Sequence, residues 1–275
     1  SKIDDSADAG GSKSAASGDA GDDEKAGDAE EASGETMKMA GMPPQAISQV
    51  SAGKFHTCAL RYDGRLHCWG ANYEGELGLG NDEKIGDDEQ ATTSGVLDFG
   101  EPVRTVAAVG DRQSSFTCAL LESGEVRCWG ANQNGQLGYG HTRRLGNDER
   151  IGGKMPPPVP IGKNARAIAA GASKYASHAC AILNDGRVKC WGSGKFGQTG
   201  YGHTNKIGDD EVPSTVGPVQ LRGKAEAIEA GKYSTCAQME NGDLRCWGWN
   251  AAGQLGLGHT DDIGDDEIPS TADPV

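Results

Sequence analysis

One thirteen-residue motif occurs four times in the chain, over Cys58 to Gly70, Cys118 to Gly130, Cys180 to Gly192 and Cys236 to Gly248. Each copy reads Cys-Ala-x-x-x-x-Gly-x-x-x-Cys-Trp-Gly, with its indole at Trp69, Trp129, Trp191 or Trp247. The tryptophans are 60, 62 and 56 residues apart. A glycine-rich piece follows each copy, as in Gly135 to Gly140. An acidic turn then closes the repeat: Ile-Gly-Asp-Asp-Glu at 85–89, 207–211 and 263–267, and Leu-Gly-Asn-Asp-Glu at 145–149. Periodicity at this length marks units that cannot bury their own faces and must stack on one another. The repeats divide the chain at about 45–97, 98–158, 159–217 and 218–275. Glycine supplies 43 of 275 residues, which suits many tight turns in an all-β repeat protein.

Within the first copy, Asp63-Gly64 separates two short runs, a hairpin signal. A three-residue loop, Tyr62 to Gly64, places Gly64 in the left-handed conformation that only glycine takes without steric cost. This register pairs Arg61 with Arg65, Leu60 with Leu66, Ala59 with His67 and Cys58 with Cys68. The other copies follow, giving Cys118 with Cys128, Cys180 with Cys190 and Cys236 with Cys246. Directly opposed antiparallel residues are ~4.5–5.5 Å apart at Cα, within reach of a disulfide. Four intra-hairpin bridges are expected, and they would place the protein in an oxidising compartment: periplasm, cell surface or medium. Two other readings stay open, reduced buried pairs and a zinc site. The nine-residue separation of each pair lacks the short knuckle spacing that zinc favours. Cys58, Leu60, Leu66 and Cys68 share one face of the hairpin, and Ala59 and Trp69 the other. Both faces therefore need cover, as between stacked blades. Gln238 breaks the apolar face where other copies have Leu60, Leu120 and Ile182, so the fourth unit is expected to meet a less complete neighbour.

These residues resemble the regulator-of-chromosome-condensation repeat, in its bacterial-type, secreted form. The resemblance rests on the Ala-Gly lead-ins (Ala52-Gly53, Ala170-Gly171, Ala230-Gly231), the Asp-Gly-type hairpins, Trp-Gly, and the Asn132 to Gly138 type of segment, and covers about 45–275. Departures occur at Val109-Gly110-Asp111 and Ser193-Gly194. The resemblance implies an all-β propeller of four-stranded blades, with Trp69, Trp129, Trp191 and Trp247 as blade-packing anchors. Family propellers usually have seven blades. The four repeats here are expected to form either an arc of a larger ring or a small closed ring whose C-terminal strand completes the first blade. The family's best-known member is a nuclear exchange factor for a small GTPase; another is a secreted bacterial inhibitor of β-lactamases.

Residues 1–44 form an acidic Ala/Gly/Ser/Asp/Glu segment with a net charge of −7 out of −14 for the whole chain. Its composition predicts a disordered tail or linker, and a lipid anchor upstream of Ser1 would fit such a tether. The overall charge disfavours a sequence-independent grip on nucleic acid, and no stretch has the ~20 apolar residues of a transmembrane span.

No nucleophile elbow, phosphate loop or metalloprotease motif is recognisable, so no catalytic residue and no organic cofactor is assigned. A sialidase-type Asp-box does not match, because Asp63 and Gly64 are adjacent. His141, His203 and His259 occupy one turn position, taken by Asn81 in the first copy. The acidic turns Asp87-Asp88-Glu89, Asp148-Glu149, Asp209-Asp210-Glu211 and Asp265-Asp266-Glu267 are weak candidates for calcium, which prefers six to eight oxygens. Consecutive acids are expected to point apart, which favours solvated loops or a negatively charged face that steers a basic partner. Trp249 stands where other copies have Ala71, Ala131 and Ser193, and is a candidate contact residue. The leading expectation is an exported, non-enzymatic scaffold for a protein or surface-polymer ligand. The alternatives are an intracellular exchange-factor-like regulator of a small GTPase and a calcium-stabilised surface protein.

Overall fold

A computed structural model describes residues 43–275; most of the acidic segment 1–44 lies outside them. Four three-stranded antiparallel sheets follow one another along the chain, each in sequential strand order. The first blade is β1 (Ile47–Ala52), β2 (His56–Arg61) and β3 (Leu66–Gly70). The second is β4 (Val103–Val109), β5 (Phe116–Leu121) and β6 (Val126–Gly130). The third is β7 (Ala165–Gly171), β8 (His178–Leu183) and β9 (Val188–Gly192). The fourth is β10 (Ala225–Ala230), β11 (Ser234–Met239) and β12 (Leu244–Gly248).

The repeated motif is the β2–β3 hairpin and its equivalents. Leu60 faces Leu66, Ala59 faces His67 and Cys58 faces Cys68, and the other hairpins keep this register. Gly64 has φ of 78°, and its N–H closes the turn on the Arg61 carbonyl. A Cβ there would also lie 2.4 Å from Pro102 of the next blade, so glycine is required for both conformation and packing. Every cysteine is bridged within its own hairpin, as Cys58–Cys68, Cys118–Cys128, Cys180–Cys190 and Cys236–Cys246, with Cα atoms 4.0–4.1 Å apart.

The fourth position of each blade is filled differently from a regular strand. The segment after β3 meets it only at its two ends: Ile85 exchanges both backbone hydrogen bonds with Gly70, and Leu97 does so with Leu66. Between them the chain bulges outward through the acidic turn. The later blades repeat the upper contact with Leu145, Ile207 and Ile263, and at the lower end Val159, Val219 and Val275 each donate one bond, to Val126, Val188 and Leu244. Val275 donates to the Leu244 carbonyl at 2.9 Å. The C-terminal segment therefore completes the fourth blade, and the expectation that it completes the first is corrected.

Successive blades pack face to face, with the hairpin leucines, β-branched residues and cystines between them. The first and last blades are not packed on each other as successive blades are, so the four form an open arc. Each internal junction uses the same three hydrogen bonds. At the first, Val103 N–H donates to the Gly64 carbonyl, Trp129 Nε1 to the Glu76 carbonyl and Gly80 N–H to the Gly146 carbonyl. The second and third use Ala165 and Ala225, Trp191 and Trp247, and Gly140 and Gly202 as donors. Trp129, Trp191 and Trp247 thus bury their indoles against the preceding blade and satisfy their one donor there.

Candidate binding face

In every blade the loop before the second strand is stitched to the loop after the third. Ala71 N–H donates to the Phe55 carbonyl, Ala131 to Ser115, Ser193 to Ser177 and Trp249 to Tyr233, all at 2.8–3.0 Å. Because the blades stack in one sense, these four loop pairs share one rim of the arc. Trp249 is half-buried there rather than freely exposed. Its ring meets Tyr233 edge-on at 5.8 Å and lies 6.5 Å from Phe196 of the neighbouring blade, while Phe196 and Tyr233 are 4.8 Å apart.

Cations lie over these rings. Lys232 is 5.1 Å from the Tyr233 centroid, and Lys195 is 5.3 Å from Phe196 and 5.8 Å from Tyr175. Lys174 also covers Tyr175, which is 61% exposed. The pattern continues at the first two blades, with Lys54 over Phe55 and Arg112 over Tyr73. In a chain of net charge −14, these cations stand over the aromatic rings while acidic residues line the groove beside Trp249. Cation–π contacts hold both in place. Chemically the rim can grip carboxylates and apolar groups together. A groove of about 800 Å³ beside Trp249 is lined by His259, Asp261 and Asp265 to Glu267.

The sequence singles out Trp249 but not the cluster around it. The available signal was the lysine–aromatic pair before three of the four hairpins: Lys54-Phe55, Lys174-Tyr175 and Lys232-Tyr233. Loops from separate repeats converge only once the blades are stacked, so Phe196 could not be joined to Tyr233 from spacing alone.

The acidic turns begin at the same end of the blades, in the outermost position. Three of them are also clasps between blades. Gly146 lies so close to Gly75 that a Cβ would come 2.4 Å from the Gly75 carbonyl oxygen, and Gly208 and Gly264 repeat this against Gly135 and Gly197. Contrary to expectation, the consecutive acids converge. Asp87, Asp88 and Glu89 each offer a ligand atom within 4.8 Å of the others, as do Asp209, Asp210 and Glu211, and Asp265, Asp266 and Glu267. The turn folds each glutamate back; Glu89 and Glu267 accept from the N–H of Gly86 and Gly264. In the second turn, partial burial and then the neighbouring Asp148 carboxyl push Glu149 up to about 7. Glu267 is raised to about 7 by the same pair of causes, burial and Asp266. Three carboxylates supply hard oxygen donors but fewer than a complete calcium shell.

His141 and His259 sit in the expected turn, their carbonyls accepting from the amides of Asn132 and Asn250. Trp69 differs from its three counterparts. It is only partly buried and lines an apolar cleft of about 390 Å³ with Ile47, Val50 and Ala59 on the outer face of the first blade.

Stacked β-sheets joined by tryptophan and glycine junctions define a repeat-built β-propeller. The regulator of chromosome condensation (RCC1) repeat matches at residues 47–76, 114–136, 166–198 and 226–254. The chain belongs to the RCC1-repeat family. It is similar to the ultraviolet-B receptor UVR8 of Arabidopsis thaliana, with 33% identity over 235 residues, covering 83% of this chain and 48% of the relative. The mitochondrial RCC1 domain-containing protein RUG3 of the same plant is 31% identical over 77% of this chain and 44% of its own length. Among solved structures, yeast RCC1 (Prp20) bound to Kap60 superposes with a TM-score of 0.60 at 21% identity, over 83% of this chain and 49% of that one. The chain spans about half the length of these relatives.

Proposed function

We propose that this propeller is an exported, non-enzymatic scaffold that binds a protein through its cationic aromatic rim. The observation that carries this reading is the packed cluster of Phe196, Tyr233 and Trp249 under Lys195 and Lys232. Tryptophan, tyrosine and cationic side chains held rigidly in a cluster are what tight interfaces use as anchors. The partner then carries an acidic surface with an apolar centre; a polyanionic surface polymer would meet the lysines but leave the rings unused. Four bridged hairpins support export, since thiols stay reduced in the cytosol. They count against a nuclear-type GTPase regulator, the activity associated with some relatives of this fold.

The test uses a photo-crosslinking residue at position 175 in the native envelope or medium fraction. One protein is expected to crosslink, and Trp249→Ala with Lys195→Glu should abolish the product. Equal crosslinking by the variant would reject the rim as the site. Alkylation of denatured, unreduced protein should leave all eight cysteines unlabelled; full labelling would remove the export argument.

Calcium stabilisation is a second reading, supported by the converging carboxylates of three acidic turns. It predicts a rise in Tm at millimolar calcium that Asp209→Asn with Asp210→Asn reduces. An unchanged Tm in calcium would dismiss it.

A further inference from the structure

The rings of the rim cluster are held from below by buried hydrogen bonds that end on a histidine. Phe196 N–H donates to Gln198 Oε1 at 2.8 Å. The Gln198 carbonyl in turn accepts from Thr235 Oγ1 and from Trp247 Nε1, each at 3.0 Å. Thr235 follows closely on Tyr233, whose carbonyl accepts the Trp249 N–H. Thr235 Oγ1 also meets His178 Nε2 at 2.9 Å. His178, Gln198 and Thr235 are all buried. The threonine hydroxyl has a single proton and gives it to the Gln198 carbonyl, which can only accept. His178 Nε2 therefore carries a proton and donates to Thr235 Oγ1. Nδ1 is the bare nitrogen, buried and without a hydrogen-bond partner. The ring is also confined, since a Cβ on Gly171 would lie 2.8 Å from its Cε1. The first junction repeats the chain of bonds with His56, Thr117 and the Glu76 carbonyl. At the second, Phe116 and Ala179 take the two positions and stay fully buried, with no titratable group.

We infer that His178 is a positioning residue of the rim, and that a proton on its Nδ1 unlocks the cluster of Phe196, Tyr233 and Trp249. The inference rests on the reading of that cluster as the binding face, which would then hold its partner at neutral pH and release it in acid. The added proton creates a buried charge and a donor with nothing to accept it, and both costs are relieved when the ring leaves Thr235 for water. His178 opens β8 directly after Ser177, whose carbonyl accepts the rim bond from Ser193. A ring that leaves its site therefore parts the junction at the end that carries Phe196 and Tyr233. No neighbouring charge offsets the cost. Lys174 and Lys195 on the adjoining loops, Lys232 and Glu229 are exposed. Arg166, Lys189, Glu226 and Arg245 are each the second residue of β7, β9, β10 and β12, at the strand ends away from His178. Burial lowers His178 to about 4, so the packed form is complete above the ordinary 6.5 and is lost as pH falls toward 4.

The test follows Trp249 itself by fluorine NMR, in the full chain labelled with fluorotryptophan and acidified from 6.5 through 4. Trp249→Phe assigns its resonance. That resonance should shift with a midpoint near 4, in step with the imidazole signal of His178, while the Trp191 resonance at the second junction holds still. The comparison variant is His178→Phe with Thr235→Ala, the pair the second junction already accommodates as Phe116 and Ala179. It keeps His56, and in it the Trp249 resonance should stay in place across the range. A Trp249 that does not move while His178 protonates overturns the inference, and so does an equal shift in the variant. Collapse of every tryptophan resonance before His178 takes up its proton also overturns it, because the whole arc then opens rather than the rim. The signal needs no partner: a failed crosslink with this titration intact rejects the binding reading and leaves the positioning role standing.

Discussion

At the scale of single residues, the junctions carry one charged departure from their own pattern. Gln136 and Gln198 lie buried beside the second and third junctions; Glu76 takes their place at the first. Burial there pushes its carboxyl up to about 7. An acid whose folded pKa exceeds its ordinary 4.5 binds more protons folded than unfolded, so its contribution is most favourable below 4.5 and declines as pH rises through 7. Glu76→Gln is expected to raise stability at pH 7.5 by about 1–3 kcal/mol, with little gain at pH 4.5; denaturant melts at the two pH values check this. His56 and His178 act in the opposite direction. Burial lowers both to about 4, and each imidazole meets a threonine hydroxyl of the next blade, Thr117 or Thr235. Their stabilisation is present above 6.5 and is lost as pH falls toward 4. Relative to wild type, His56→Gln with His178→Gln should therefore lose less stability on acidification from 6.5 to 4, read by denaturant melts at the two pH values.

At the scale of elements, what could be read from sequence depended on how local the pairing is. The hairpin register, the left-handed Gly64 and the opposed cysteines all lie within eleven consecutive residues, and one turn fixes them. The outer edge of each blade was harder. Leu97 reaches Leu66 across an irregular segment, and only two short contacts define it, so no alternating run betrays it. The junction bonds were invisible for another reason: the acceptor for each indole is a backbone carbonyl in the preceding repeat, and any residue type could provide it. Trp191 and Trp69 test that role as a matched pair. Trp191→Phe removes the donor to Gln136 and leaves a buried carbonyl unpaired, which should cost about 1–3 kcal/mol beyond the packing loss. Trp69→Phe removes a donor that has no such acceptor among the described residues, and its effect should be small. Equal losses in thermal or denaturant melts would mean that ring packing alone sets the cost.

At the scale of the whole molecule, the bridges and the junctions divide the labour of stability. Every disulfide lies inside one hairpin and none joins two blades. The blades are coupled by packing, by the repeated hydrogen bonds and by polar side-chain contacts such as Arg144 with Glu74 and Asp82, so each contacts its immediate neighbours, and stability is close to a sum of blade and junction contributions. Position in the arc then decides what the loss of a bridge does. The fourth blade is covered on one face only, with Leu244 and Gln238 open to solvent. Removing Cys236 and Cys246 as Cys→Ala changes should cost that hairpin roughly 3 kcal/mol on the chain-entropy account. Hydrogen exchange should then show protection falling across β10, β11 and β12, while β4 to β6 keep theirs. The same change at Cys118 and Cys128 weakens a blade clamped on both sides. Its neighbours share the loss because both junctions must open with it, so protection should fall from β1 through β9 together. A uniform loss of protection from the fourth-blade variant would show instead that the arc opens as a single unit, with the junctions stronger than the blades they join.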